Sequence, residues 1–206
     1  MLTPLADDLG VGVVLTARTV DEIIFVARAG VHTAYGPDVR EGERVPFKPP
    51  LGAVFAAWSD DDEVEAWLSR SPDRTASSDE RNHVALALVR SRGYSVTTGS
   101  DTQRRLGERT FSLSDDPSRN DLRDDVAELF TQLAAQDYPV VDLETASRLD
   151  VGTIAAPVFG SDASVIAAIS ATGFAPGMDV GSVLAAAEKV RDAAAVATRA
   201  SRGVTP

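Results

Sequence analysis

Three hydroxyl side chains near the C-terminal end of the chain are spaced to meet over one sheet face. Residues 151–159 and 164–172 are β-branched, alanine-rich runs either side of Gly160-Ser161-Asp162-Ala163, the pattern of a β-hairpin. With the turn at 160–163, Thr153 faces Ser170, Val151 faces Thr172 and Ala155 faces Ala168. Opposed residues share a face, so Thr153, Ser170 and Thr172 converge beside two alanines. Small side chains leave room above the sheet, and hydroxyls bring donors and acceptors to that room. The same small residues would also let a helix pack closely, and pattern alone supports both readings. Pro157 signals a bulge that would shift this register.

The second group is Lys48-Pro49-Pro50-Leu51-Gly52-Ala53. Prolines suit the first position of a helix over about 51–58. The Gly52 and Ala53 amides would then leave its first turn, where carboxylates and phosphates are attracted, with Lys48 adding positive charge. An ordinary loop-to-helix junction is the alternative. Other chemistry is thin. Cysteine is absent, which removes disulfides, thiolate metal sites and cysteine nucleophiles. There is no Gly-x-Ser-x-Gly elbow, no phosphate loop and no histidine pair at metal spacing, His32 and His83 being far apart. Asp142 and Glu144 form a candidate carboxylate pair, although two acids on one strand are usually solvated. The Asp60-Asp61-Asp62-Glu63 run reads as the acidic first turn of a solvated helix, with Val64, Trp67 and Leu68 as its apolar stripe. No catalytic residue, metal or cofactor is expected.

Several elements must position these groups. Residues 11–17 and 22–28 form an N-terminal hairpin, and 30–50 is irregular. Ser77-Ser78-Asp79-Glu80 is a capping box opening a helix over about 78–92, with Val84, Leu88 and Ser91 on one face, Ala85 and Val89 beside it, and Gly93 as its stop. A strand follows at 94–98. Residues 99–120 read as loop, with a short strand near Thr110 to Leu113. Asn120 caps an amphipathic helix over about 121–136 carrying Leu122, Val126, Leu129, Phe130 and Leu133. A strand at 138–143 comes next. The last helix, about 180–202, runs from Asp179 to Gly203 and presents Val183, Leu184, Ala187, Val190 and Ala194.

The whole reads as a single α/β domain over 206 residues. The net charge is −11, with 20 basic residues scattered among 31 acidic ones, so duplex DNA or an anionic membrane is a poor partner. No apolar run reaches the roughly 20 residues of a membrane span, and no basic signal-peptide start is visible, so a cytoplasmic protein is expected. Too little chain precedes the first hairpin for a helix-turn-helix.

Four stretches, in order, carry a resemblance. Residues 43–58, Glu43-Arg44-Val45-Pro46-Phe47-Lys48-Pro49-Pro50-Leu51-Gly52-Ala53-Val54-Phe55-Ala56-Ala57-Trp58, look like the effector-domain signature of IclR-type transcriptional regulators. Arg90-Ser91-Arg92-Gly93-Tyr94-Ser95-Val96 is similar to that family's helix-to-strand junction. Val151 to Phe159 and Ala167 to Gly173 resemble its hairpin. The resemblance implies a GAF-like α+β fold, a curved antiparallel sheet flanked by helices, forming one effector-binding domain over 1–206. It implies a small-molecule effector, often a carboxylate, and a homodimer or homotetramer. DNA would be met through a winged helix-turn-helix that this chain does not include, so the chain is either cut from a longer regulator or a free-standing sensor. The implied pocket uses Lys48, the Gly52 and Ala53 backbone, Asp142, Thr153, Ser170 and Thr172, with Leu149 and Val151 as apolar wall. Lys48 stands at the family's usual histidine, and Ala53-Val54 replaces its usual Gly-Lys pair. An inserted segment at about 99–138 enters at the pocket rim, to cover it or to form an oligomer contact. The competing readings are an oligomerisation module without a ligand and, with less support, an enzyme.

Overall fold

The N-terminal hairpin forms as read: β1 (Gly12–Arg18) pairs antiparallel with β2 (Glu22–Ala29). The computed structural model describes every residue except 32, 34, 38, 72–73, 100, 117, 135–142 and 144–145. The expected strand at 138–143 therefore lies almost wholly outside the described residues. A short helix the sequence did not announce, α1 (Leu2–Leu9), precedes the hairpin. After β2 come β3 (Arg44–Pro46), α2 (Ala53–Ala56), α3 (Asp61–Ser69), α4 (Ala76–Arg92) and β4 (Ser95–Thr98). Then follow α5 (Asp101–Asp115), α6 (Asn120–Ala134), β5 (Arg148–Leu149), β6 (Val151–Phe159), β7 (Val165–Thr172), β8 (Met178–Asp179) and α7 (Val180–Ala200).

Six strands make one strongly curled antiparallel sheet in the order β3-β2-β1-β7-β6-β4, and β5 and β8 pair separately. Successive side chains of a strand point to opposite faces. Ile154, Ala156, Val158, Ile169 and Ala171 accordingly meet α7 on the convex side, through Val183, Ala187, Val190 and Ala194. Burying a Val or Ile side chain fully stabilises by about 1.5–3 kcal/mol, and Ile154, Ile169, Val183 and Val190 are each 0% exposed. Leu184, expected in that stripe, points outward. On the other side, Ala155 and Ala168 meet Phe47, Phe55, Trp67, Leu68 and Val89 from α2, α3, α4 and the turn before α2.

Four local expectations are corrected. The helix over 51–58 is a turn followed by a single helical turn at Ala53–Ala56. Leu51 N–H donates to the Lys48 carbonyl (2.8 Å), closing a turn around the prolines, so they precede the helix rather than start it. The capping box of α4 is two residues earlier, Thr75 with Ser78, and the buried face is Leu86 with the expected Ala85 and Val89, leaving Val84 exposed. Residues 101–115 are helical, not loop, and the strand near Thr110 does not exist. Finally, the β6–β7 register places Thr153 opposite Thr172, Ala155 opposite Ser170 and Pro157 opposite Ala168. This pairing lies two residues from the expected one, and a one-residue register shift at Val158/Phe159, beside Pro157, accounts for part of the difference. A shift of two preserves which face each side chain occupies, so the three hydroxyls still share one face.

Candidate functional site

The curl of the sheet leaves a hollow that the chain closes from two sides. The floor is the concave face of β1, β2, β4, β6 and β7. One end is the segment Pro50 to Phe55, and α5 lies across the top. The half-open cavity is about 170 Å³.

Five sequence-predicted residues meet there: Gly52, Ala53, Thr153, Ser170 and Thr172. Gly52 sits at φ +84°, a left-handed conformation that favours glycine. A Cβ there would lie 2.5 Å from the Phe47 ring and 3.1 Å from Ile23 Cδ1. Trp67 secures the neighbouring turn, its indole N–H donating to the Leu51 carbonyl (2.9 Å). Asp60 starts α3 as read, accepting the Glu63 amide (2.8 Å), and so positions Trp67.

Three other expected residues are elsewhere. Val151 is in the convex core, because a register shift between Thr97 and Thr98 sets Thr97 against Thr153 but Thr98 against Val151. The extra residue, Gly152, turns Val151 to the opposite face. Leu149 belongs to β5 and packs on that same convex core. Lys48 does not line the cavity. Its ammonium lies 4.3 Å from the centroid of the Phe130 ring of α6, and burial there lowers its pKa below the usual lysine value. Asp142 and Glu144 are outside the described residues, as is His32, and His83 is exposed on α4.

Sequence reasoning set the 99–138 segment at the pocket rim but missed the helix α5 that forms the roof and the residues it turns inward. From α5, Gln103, Leu106, Gly107 and Thr110 face the cavity, at one-turn spacings that place them on one helical side. Gln103 Nε2 donates to Thr153 Oγ1 (3.2 Å), tying roof to floor. Gly107 fits tightly on the far rim: a Cβ would lie 2.7 Å from Pro37 Cβ. Arg40 stacks on Phe111 at 3.4 Å and pairs with Asp115 at 2.9 Å. Leu106 joins Leu129, Phe130 and Leu133 in a small core shared with Leu51, so α6 braces α5 on the body.

Glu43 is the second missed residue. It is 7% exposed and lines the cavity two residues before Val45, on the same side. Its Oε2 accepts the Arg40 amide (2.9 Å), and its carbonyl accepts the Phe25 amide (2.9 Å), prolonging the β2–β3 pairing. The period-two relation to Val45 was the available signal. Among the floor hydroxyls, Thr172 Oγ1 donates to the Gly152 carbonyl (3.1 Å). Thr97 and Thr16 make longer bonds (3.4 Å) to the Thr153 and Ala168 carbonyls. Hydroxyls committed in this way offer lone pairs to the cavity. No Lys, Arg or His lines the cavity among the described residues.

Sheet, roof and hollow form a concave pocket with largely apolar walls and a few placed polar groups. Comparison with solved structures gives the fold its kin. A domain of an IclR-family transcriptional regulator superposes with TM-score 0.63 at 15% identity, covering 100% of this chain and 94% of that one. The IclR transcriptional regulator of Alicyclobacillus acidocaldarius gives 0.62 at 18%, covering 97% of this chain and 64% of that one. The C-terminal domain of a transcriptional regulator from Vibrio cholerae gives 0.56 at 17%, covering 94% and 90%. No protein-family model and no curated protein matches at the sequence level. The chain thus has the fold of the C-terminal domain of IclR-type regulators, and it spans less than two thirds of the full Alicyclobacillus regulator. No described helix is long and apolar enough to cross a membrane.

Proposed function

We propose that this chain is an effector-sensing domain of the IclR type, which binds a small organic molecule in the cavity beneath α5. The observation that carries the reading is the half-open hollow itself, floored by Thr153, Ser170 and Thr172 and roofed by a helix hydrogen-bonded to Thr153. A roughly 150 Å³ apolar cavity holds a benzene-sized molecule, so about 170 Å³ suffices for a small ring or branched chain. The family likeness supports the regulatory role.

On this reading residues 1–206 form a single domain, and the α5–α6 pair is the inserted segment, serving as cover. Ligand binding changes how firmly the cover is held. That difference biases the arrangement of a homodimer or homotetramer in the cytoplasm, or of an attached winged helix-turn-helix, by as much as the ligand prefers one state. No catalytic step is assigned. The carboxylate expected from the sequence loses its proposed cation, because Lys48 sits on Phe130 outside the cavity.

The test is a thermal-shift screen of small organic molecules of all charge types, repeated on Ser170→Leu. A ligand that binds only the folded state raises the melting temperature. Hits are expected on the parent chain and not on Ser170→Leu, whose side chain fills the floor. Hits indifferent to that change would place the ligand elsewhere, and an empty screen would remove the sensing role.

A further inference from the structure

The hydroxyl residues of the cavity floor fall into two neighbouring rows, and the rows differ in how their hydroxyls are used. Thr97, Thr153 and Thr172 lie opposite one another across β4, β6 and β7. Thr97 and Thr172 donate to strand carbonyls, and Thr153 accepts the Gln103 amide. Two residues along, Ser95, Ala155 and Ser170 form the next row on the same face. Both serines line the cavity, and they are 7% and 9% exposed. Neither hydroxyl has a hydrogen-bond partner among the described residues. A buried hydroxyl without a partner is costly, because it has left water and gained no bond in return. Two of them opening on one space mark a place where a bound molecule supplies the missing bonds.

The row also sets what fits. β4 and β7 flank β6, so the serines stand two strand spacings apart, roughly 10 Å between Cα atoms. Between them stands Ala155, whose methyl group leaves the space above it open. Two hydrogen bonds of about 2.9 Å with a three-atom head group between them span roughly 8 Å, which that spacing accommodates. A lone hydroxyl or ketone oxygen is too short to reach both. Each serine hydroxyl donates or accepts, and each is uncharged. A carboxamide matches both properties: its carbonyl accepts from one serine and its NH2 donates to the other. A carboxylate has the same shape, but its charge is costly to bury on neutral partners. The next residue in the row is Val14 of β1, opposite Ser170, and Ile23 and Phe25 of β2 line the space beyond. The floor thus runs from polar to apolar along one direction.

We propose that Ser95 and Ser170 seat the effector's polar head over Ala155, and that this head is an uncharged planar group of the carboxamide type on an apolar body. This rests on the sensing role proposed above and names the chemistry of the same cavity. The body lies over Val14 toward Phe25.

The experiment is an NMR titration of the full chain with three matched probes: benzamide, benzoate and toluene. Benzamide is expected to bind about tenfold more tightly than either of the others, the scale of two neutral hydrogen bonds. Ser95→Ala and Ser170→Ala are each expected to weaken benzamide about fivefold and to leave toluene within about twofold. Benzoate or toluene binding as tight as benzamide overturns the assignment, as does benzamide affinity unchanged in Ser95→Ala. Equal losses for benzamide and toluene in Ser95→Ala would show a packing role and also overturn it. Should a variant fail to fold, the order of the three probes on the parent chain decides. If none of the three binds while other screen hits disappear in Ser170→Leu, the carboxamide seat is wrong and the sensing role stands. If no ligand of any class binds, both fall.

Discussion

Truncating Phe130 to alanine should loosen the cavity's cover without loosening the sheet. Phe130 is 1% exposed and packs with Leu106 (4%), Leu129 (2%) and Leu133 (0%), the buried core that α5 and α6 share. A buried Phe→Ala change loses about 3–5 kcal/mol from transfer and cavity terms together. Among the described clusters, this core is joined to the body through Leu51, so the loss falls on local opening of the helix pair. Each 1.4 kcal/mol is tenfold in an opening equilibrium, so amide protection in 101–115 and 120–134 should fall by roughly 10²–10³, or to none if local stability is smaller. Hydrogen exchange resolved by segment measures this. Protection in β6 and β7 should stay within about threefold, since those strands are held by the α7 core. The ammonium of Lys48, freed from under the ring, should titrate closer to an ordinary lysine. Equal loss in sheet and helix pair, or none in the helix pair, would refute α5–α6 as a separately opening cover.

Gly52→Ala forces a side chain into a left-handed conformation, about 1–2 kcal/mol by itself. It also presses on Phe47, so a total of about 2–4 kcal/mol is expected in chemical denaturation. A change below about 0.5 kcal/mol would show that the turn relaxes. Thr75→Ala removes the α4 cap and should destabilise by about 1 kcal/mol, with Thr75→Ser nearly neutral, both read by thermal melts. Two aspartates predict the acid response. The Arg119 guanidinium lowers Asp121 to about 2, and the Ser182 hydroxyl and amide hold Asp179 below the ordinary aspartate value. A depressed folded-state pKa means the contribution is complete above the unfolded value, 3.8, and is lost as pH falls through the folded one. Carboxyl NMR should find both titrating below 3.8, and Asp179→Asn should flatten the melting-temperature decline in that window. Ordinary titration of both would refute the bonds.

What the sequence determined was local and periodic. The hairpin of β1 and β2, the acidic start of α3 at Asp60, the Asp179 cap of α7 and the amphipathic α6 follow from alternation, capping chemistry and 3.6-residue spacing, which act over a few residues. The shared face of Thr153, Ser170 and Thr172 was legible for the same reason: parity survives a register shift of two. Tertiary structure decided everything that depends on a neighbour. Gly152's bulge took Val151 out of the pocket, an outcome set by pairing with β4. Residues 101–115 are too polar to announce a helix, and they form one where Gln103, Leu106 and Thr110 find a floor and Leu129, Phe130 and Leu133 find a brace. That brace also drew Lys48 onto an aromatic ring, out of the cavity. Short-range chemistry is written residue by residue, whereas the lining of a cavity depends on which distant segments meet across it.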